Sequence, residues 1–258
     1  MTFFLFPVVL IAAILLLMEA GRRFGIRWRN RNGENSSGGS GTVEAAVFGL
    51  MGLLIAFTFY GAETRFETRR SLIVDEANAI ATAYLRLDLL PENAQPELRE
   101  NFREYVKSRL AIYQKIPDWE AMEALKSELA HSTSLQRQIW KHAVAASKLA
   151  SSPSVQTLVV PSIDRMIDIA TIQTVALQRH PPAAVWGMLA LTLLVSCLLA
   201  GYSMSGSRTR NWVHIVAFCL LFSAVIYVNV DFEYPRMRGF IRIDEMDRLL
   251  VQTLEDMK

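Results

Sequence analysis

The residues best equipped for chemistry stand at the margins of apolar runs. Glu63, Arg65, Glu67, Arg69, Arg70, Asp75, Glu76, Asn78, Tyr84 and Arg86 follow one run, and Asp231-Phe-Glu-Tyr-Pro-Arg236 follows another. In an oligomer, one Arg per subunit would make a ring, and a charged ring at a pore mouth selects ions by sign. Alternating signs equally describe a solvated, salt-bridged surface of little energetic consequence, and both readings stand. Asp231 and Glu233 sit where a membrane helix would end. A carboxylate at that depth is costly unless paired, and Arg236 or Arg238 could pair it, as structure or as part of a gate. Pro235 and Gly239 turn the backbone there.

Other chemistries find no foothold. His131, His142, His180 and His214 have no partner at metal-site spacing, so no metal site is expected. His180 precedes the Pro181-Pro182 pair and suits a capping role. Cys197 and Cys219 lie within apolar runs and read as small packed hydrophobes. No Gly-x-Ser-x-Gly elbow or Ser–His–Asp order appears, so no catalytic residue and no cofactor are assigned. The net charge of +2 argues against a nucleic-acid binder.

Four uncharged runs must position these residues: 3–18, 45–62, 183–202 and 212–230. Each is long enough, or nearly so, to cross roughly 30 Å of hydrocarbon as a helix. They account for 52% hydrophobic residues beside 20% charged ones, a mixture odd for one globular domain. The first run has no basic residue before it and Arg22-Arg23 after it, the reverse of a signal peptide. Residues 19–44 read as a loop with five arginines and a Gly/Ser-rich linker, NGENSSGGSG. The expected fold is an all-α membrane protein with four transmembrane helices and a helical extramembrane domain between the second and third. Its parts are 1–62 (first helix, loop, second helix), 63–182 (helical domain), 183–230 (helical hairpin) and 231–258 (charged amphipathic tail with Ile243, Met246, Leu249, Leu250 and Leu254).

Within 63–182 the apolar residues recur every three or four positions. Leu98, Phe102, Tyr105, Val106, Leu110 and Tyr113 form one stripe; Ile163, Met166, Ile167, Ala170 and Leu177, with Thr174, form another. Glycine is absent from 62 to 186, which favours long helices. The spacing predicts helices near 63–90, 96–115, 119–150 and 161–180, the last starting at Pro161 and the first able to continue the second membrane helix.

On that membrane helix, Ala45, Gly49, Gly52 and Ala56 fall on one face at steps of four, three and four. Small residues so placed let another helix approach closely, within one subunit or between subunits, or face a pore. Phe48, Phe57 and Phe59 could form an apolar constriction that gates by dewetting, or could meet lipid.

With four crossings, the first and third loops share one side, and the domain and both termini share the other. Arg22, Arg23, Arg27, Arg29, Arg31, Arg208 and Arg210 oppose Arg65, Arg69, Arg70, Arg179, Arg236, Arg238 and Arg242. Short loops weigh more, so charge leans toward a domain and termini outside the cytoplasm.

The strings DEANAIATAYLRLDLLP at 75–91, IDIATIQTVALQRHPP at 167–182, LLAGY at 198–202 and VDFEYPRMRGFIRID at 230–244 resemble the bacterial bestrophin-like membrane proteins, a domain of unknown function. The resemblance runs in order over about 45–250. It implies kinship with bestrophin anion channels: homopentamers in the cell's inner membrane, passing inorganic ions along the second membrane helix. It also implies termini and soluble helices facing the cytoplasm, opposite to the charge count. The long acidic calcium clasp of animal bestrophins is missing; Asp231, Glu233, Asp244, Glu245 and Asp247 are a loose echo, so calcium gating is not expected. The rival reading is a non-conducting membrane sensor or scaffold whose helical domain binds a partner.

Overall fold

The computed structural model describes residues 2–32, 40–115, 122–206, 210–236 and 239–257. Arg208, Arg238 and residues 33–39 of the Gly/Ser-rich linker lie outside them; the ends of that linker are helical, Asn32 closing the first helix and Ser40 and Gly41 opening the second. All regular structure among the described residues is helical: α1 (Thr2–Asn32), α2 (Ser40–Leu85), α3 (Gln95–Lys115), α4 (Met122–Lys148), α5 (Pro153–Gln178), α6 (Ala183–Ser203), α7 (Trp212–Glu233) and α8 (Asp247–Glu255), with short 3₁₀ turns between some of them. Among the described residues, four helical stretches are long and apolar enough to span a membrane, and they cover the four runs read from the sequence except that the first begins at Leu5. The chain divides into one unit of Met1–Thr64 with His180–Ile241 and another of Arg65–Arg179 with Arg242–Lys258.

In the first unit, α1 packs along α6 and α7. Its core holds Ile14 and Met18 of α1, Cys197 and Ala200 of α6 and Cys219 of α7, with Phe48 of α2 packed against it. Both cysteines are free and buried, the small-hydrophobe role expected of them. Glycines set the α1–α6 crossing. A Cβ on Gly21 would stand 2.1 Å from the Leu198 carbonyl oxygen, and one on Gly201 would stand 1.9 Å from that of Met18. Gly25, one turn beyond Gly21, lies against Ser205. Lipid supplies no hydrophobic drive between helices, so close backbone packing of this kind is what joins them.

The arginines placed in a first loop belong instead to α1, which continues through Arg31. Arginine is a good helix former, and Glu19 supports the continuation by accepting from Arg23 Nε at 2.9 Å, one turn on. Arg29 and Arg31 fall in the last turn, where positive charge is favoured.

The second unit packs α4 between α3 and α5, and α8 on α3. Leu98, Phe102, Tyr105, Val106 and Tyr113 of the first stripe are buried, as are Ile163, Met166 and Ala170 of the second. From the tail, Ile243 and Leu250 are buried too. Pro161 lies inside α5 instead of starting it. The helix begins earlier because Ser152 caps it, its side chain accepting from Ser154 N–H, and Pro153 fits the first position, where no N–H is needed. The second membrane helix and the first helix of the domain are one helix, α2, of 46 residues. At 1.5 Å per residue that is about 69 Å, over twice the hydrocarbon thickness.

Candidate functional site

In the membrane unit, α2 shows two faces. One meets α7: Phe48 packs edge-on to Phe218 at 6.1 Å between ring centres, Phe59 to Phe232 at 5.4 Å, and the Thr58 hydroxyl meets the Asn229 side chain at 2.9 Å. The other carries Ala45, Gly49, Gly52 and Ala56, all exposed. A Cβ added at Gly49 or Gly52 would meet nothing within 4 Å. The small-residue face is therefore unused inside the unit, in contrast to Gly21 and Gly201. Of the three candidate gate aromatics, Phe48 and Phe59 turn toward α7, while Phe57 stands 65% exposed.

At the far end of α7, Asp231 is fully buried. Its Oδ2 accepts from the backbone N–H groups of Phe240 and Ile241 at 2.8 and 2.9 Å. The carboxylate thus braces the returning chain, and Gly239 is required beside it, since a Cβ there would come within 1.6 Å of Asp231 Oδ1. Glu233, also buried, meets His180 Nδ1 at 2.8 Å, and the His180 ring stacks on Tyr234 at 5.0 Å. His180 is thereby a tie between the α5–α6 connection and α7. Arg236 is half-buried in the turn after α7.

In the helical unit the charged residues at 69–86 separate into buried and exposed sets. Arg69, 3% exposed, reaches the end of α5: its guanidinium donates to the carbonyls of Ala176 (3.2 Å) and Arg179 (2.9 Å). A cation placed on the last carbonyls satisfies their lone pairs and the helix dipole together. Glu76 is sealed from solvent with Arg109 and Tyr113. Arg109 Nε donates to Glu76 Oε1 at 2.5 Å, and the Tyr113 hydroxyl donates to Glu76 Oε2. Burial pushes the Tyr113 phenol well up, and the Glu76 charge adds to it. Burial alone would lower the Arg109 guanidinium, but the Glu76 carboxylate outweighs it and holds the arginine charged. Tyr105, one turn before Arg109, is pushed up to about 12 by burial and accepts from Gln136 Nε2 at 3.2 Å.

Tyr84 and Arg103 both donate to the Met257 carbonyl at 2.9 Å, pinning the chain just beyond α8. Arg86 donates to the Leu158 carbonyl at 2.7 Å. Asp75 and Asn78 take no part in these networks; they stand exposed on α2, as does Glu67, which pairs with Arg70 at 2.8 Å. Among the described residues, no three His, Cys, Asp or Glu side chains converge as a metal site would require. Two features escaped the sequence reading. The Gly21-xxx-Gly25 spacing was available as a small-residue signal, and Arg109 stood one turn from both Tyr105 and Tyr113 on an apolar stripe, which marks a buried charge.

These elements describe a helical membrane protein with small residues facing outward on one long helix and with buried charges held by ion pairs or backbone hydrogen bonds. The chain belongs to the bestrophin-like family: its sequence matches the Bestrophin-like domain over residues 8–245. Its fold is similar to crystal structures of two point variants of a bacterial bestrophin homologue from Klebsiella pneumoniae. One is 16% identical and the other 17%, each with a TM-score of 0.67 over 96% of this chain and 98% of that one. A further membrane-protein structure is similar at 16% identity and a TM-score of 0.65, with the same coverage. No curated protein matches the sequence.

Proposed function

We propose that the protein is an ion channel of the cell's inner membrane, built from several copies of the chain around a path lined by the outward face of α2. The observation that carries this reading is the open space at Gly49 and Gly52. Glycines in membrane helices serve close approach or clearance, and here no helix among the described residues approaches them. A neighbouring copy or a conduction path then accounts for them, and Phe57 supplies an exposed ring for an apolar constriction. Membership of the bestrophin-like family supports the same arrangement, with five copies as the number the resemblance implies.

Kinship with bestrophin anion channels supports anion selectivity. The exposed Asp75 on α2 favours the second reading, a cation path, because carboxylate rings attract cations. Purified protein in a planar bilayer tests both. The expected result is single-channel conductance whose reversal potential, under a salt gradient, assigns the sign of the ion. Absence of conductance at every salt and voltage opposes the proposal. Electron microscopy is expected to show a ring with residues 45–62 at its axis, and a monomer or a side-by-side dimer overturns it.

A further inference from the structure

One end of the membrane unit gathers three arginines around a single carboxylate. Glu19 Oε1 accepts from Arg23 Nε at 2.9 Å; Glu19 Oε2 lies 3.8 Å from Arg22 and 3.3 Å from Arg210, which comes from beyond α6. Among the described residues of this cluster, one negative charge thus holds three positive ones. The Arg210 guanidinium lies over the Trp212 ring at 5.7 Å, which fixes it at the start of α7. Beside this cluster is a hollow of about 310 Å³ whose remaining wall includes Leu15, Met18 and Ile215. Leu15 stands seven residues before Arg22, about 10 Å deeper along α1. The hollow is therefore cationic at its mouth and apolar along its depth.

Aromatic residues mark the membrane–water boundary at the same end. Phe24 stacks on Trp28 at 6.3 Å and lies 6.5 Å from Tyr202, and Trp212 is 57% exposed. Such rings settle at the headgroup level. A free inorganic anion would use the arginines and leave Leu15 and Ile215 facing water. A zwitterionic lipid would bring its own cation to an already positive mouth.

We propose that this hollow binds an acidic phospholipid, its phosphate among Arg22, Arg23 and Arg210 and its acyl chain along Leu15 and Ile215. The phosphate oxygens match guanidinium forks, and the lipid's net negative charge answers the excess that Glu19 leaves. Glu19 competes with the lipid for the three arginines.

Native mass spectrometry of the full chain in detergent, with phosphatidylglycerol or phosphatidylcholine added, tests the site. Wild type is expected to retain phosphatidylglycerol several-fold more strongly. The Arg22→Gln/Arg210→Gln pair is expected to weaken that retention by about fivefold for each arginine, the factor equivalent to about 1 kcal/mol per charge. Arg27→Gln, outside the hollow, is expected to leave it unchanged. Glu19→Gln is expected to strengthen retention, which a merely structural carboxylate would not do. Equal retention of the two lipids by wild type overturns the proposal, as does undiminished preference in a folded double variant. Complete displacement of the lipid by excess inorganic phosphate also overturns it, in favour of a free-anion site. If the double variant does not fold, Glu19→Gln decides alone, and unchanged or weaker retention overturns the proposal.

Discussion

Arg109 Nε lies 2.5 Å from Glu76 Oε1, with both side chains sealed from solvent inside the helical unit. The pair is held by its geometry and by the Tyr113 hydroxyl on the second carboxylate oxygen. Glu76→Ala strands the arginine, and the expected loss is about 3–5 kcal/mol of stability. Exchanging both members for apolar residues, Glu76→Leu with Arg109→Met, is expected to recover most of it. Thermal unfolding followed by circular dichroism measures both, and a single variant as stable as wild type contradicts the assignment.

Alkaline pH is expected to unsettle the same unit. The Tyr105 and Tyr113 phenols are raised in the folded protein, whereas an unfolded tyrosine titrates near 10. A raised folded pKa contributes stability below the unfolded value and loses it as pH climbs through the folded one. Melting temperature is thus expected to hold up to about pH 10 and to fall toward pH 12 and beyond, at the value given by the Tyr105 burial. Tyr105→Phe should flatten the decline; an unchanged slope speaks against the buried phenol as its source.

The two kinds of glycine predict opposite outcomes. Gly201→Leu places atoms where the Met18 carbonyl stands, and separating α1 from α6 is expected to cost at least about 1–3 kcal/mol and most of the folded yield. Gly49→Ala and Gly52→Ala meet no atom of the described residues within 4 Å, so folded yield should match wild type while conductance or copy number changes. Size-exclusion profiles and bilayer currents separate the two, and normal currents from both α2 variants would remove that face from the path.

Asp231→Ala leaves the partly buried Phe240 and Ile241 N–H groups without their acceptor, at a cost of about 0.5–1.5 kcal/mol for each lost hydrogen bond. Protease sensitivity around residues 239–241 should rise in this variant and not in Asp75→Ala, whose side chain is exposed. Equal sensitivity of the two variants would rule out the brace.

Orientation has a direct measurement. Leu149, 77% exposed in the helical unit, can be replaced by cysteine in a Cys197→Ala/Cys219→Ala background. The arginine bias expects a membrane-impermeant maleimide to label it in intact spheroplasts; the bestrophin resemblance expects labelling only after the membrane is opened.

The roles of the charged residues show how far the sequence carries. Glu76, Tyr84 and Arg86 stood out with Asp75 and Asn78, yet nothing in the string separates the buried from the exposed. That separation depends on which side of α2 meets Arg109 and the Met257 carbonyl, contacts 33 and 173 residues away in the chain. Asp231 was read as a carboxylate that Arg236 or Arg238 could pair. In the structure its Oδ2 accepts from two backbone N–H groups, which no side-chain inventory contains.

Composition and periodicity by themselves determine a four-span helical membrane protein with a helical domain, because apolar length and three-to-four spacing are local properties of the chain. Family membership was legible for the same reason, as ordered local strings. Tertiary structure alone decides which glycines are pressed against a neighbour, which arginines cap helices and which gather at Glu19. Each of those is set by a long-range approach of helices, and helix faces carry no mark in the sequence of the partner they will meet.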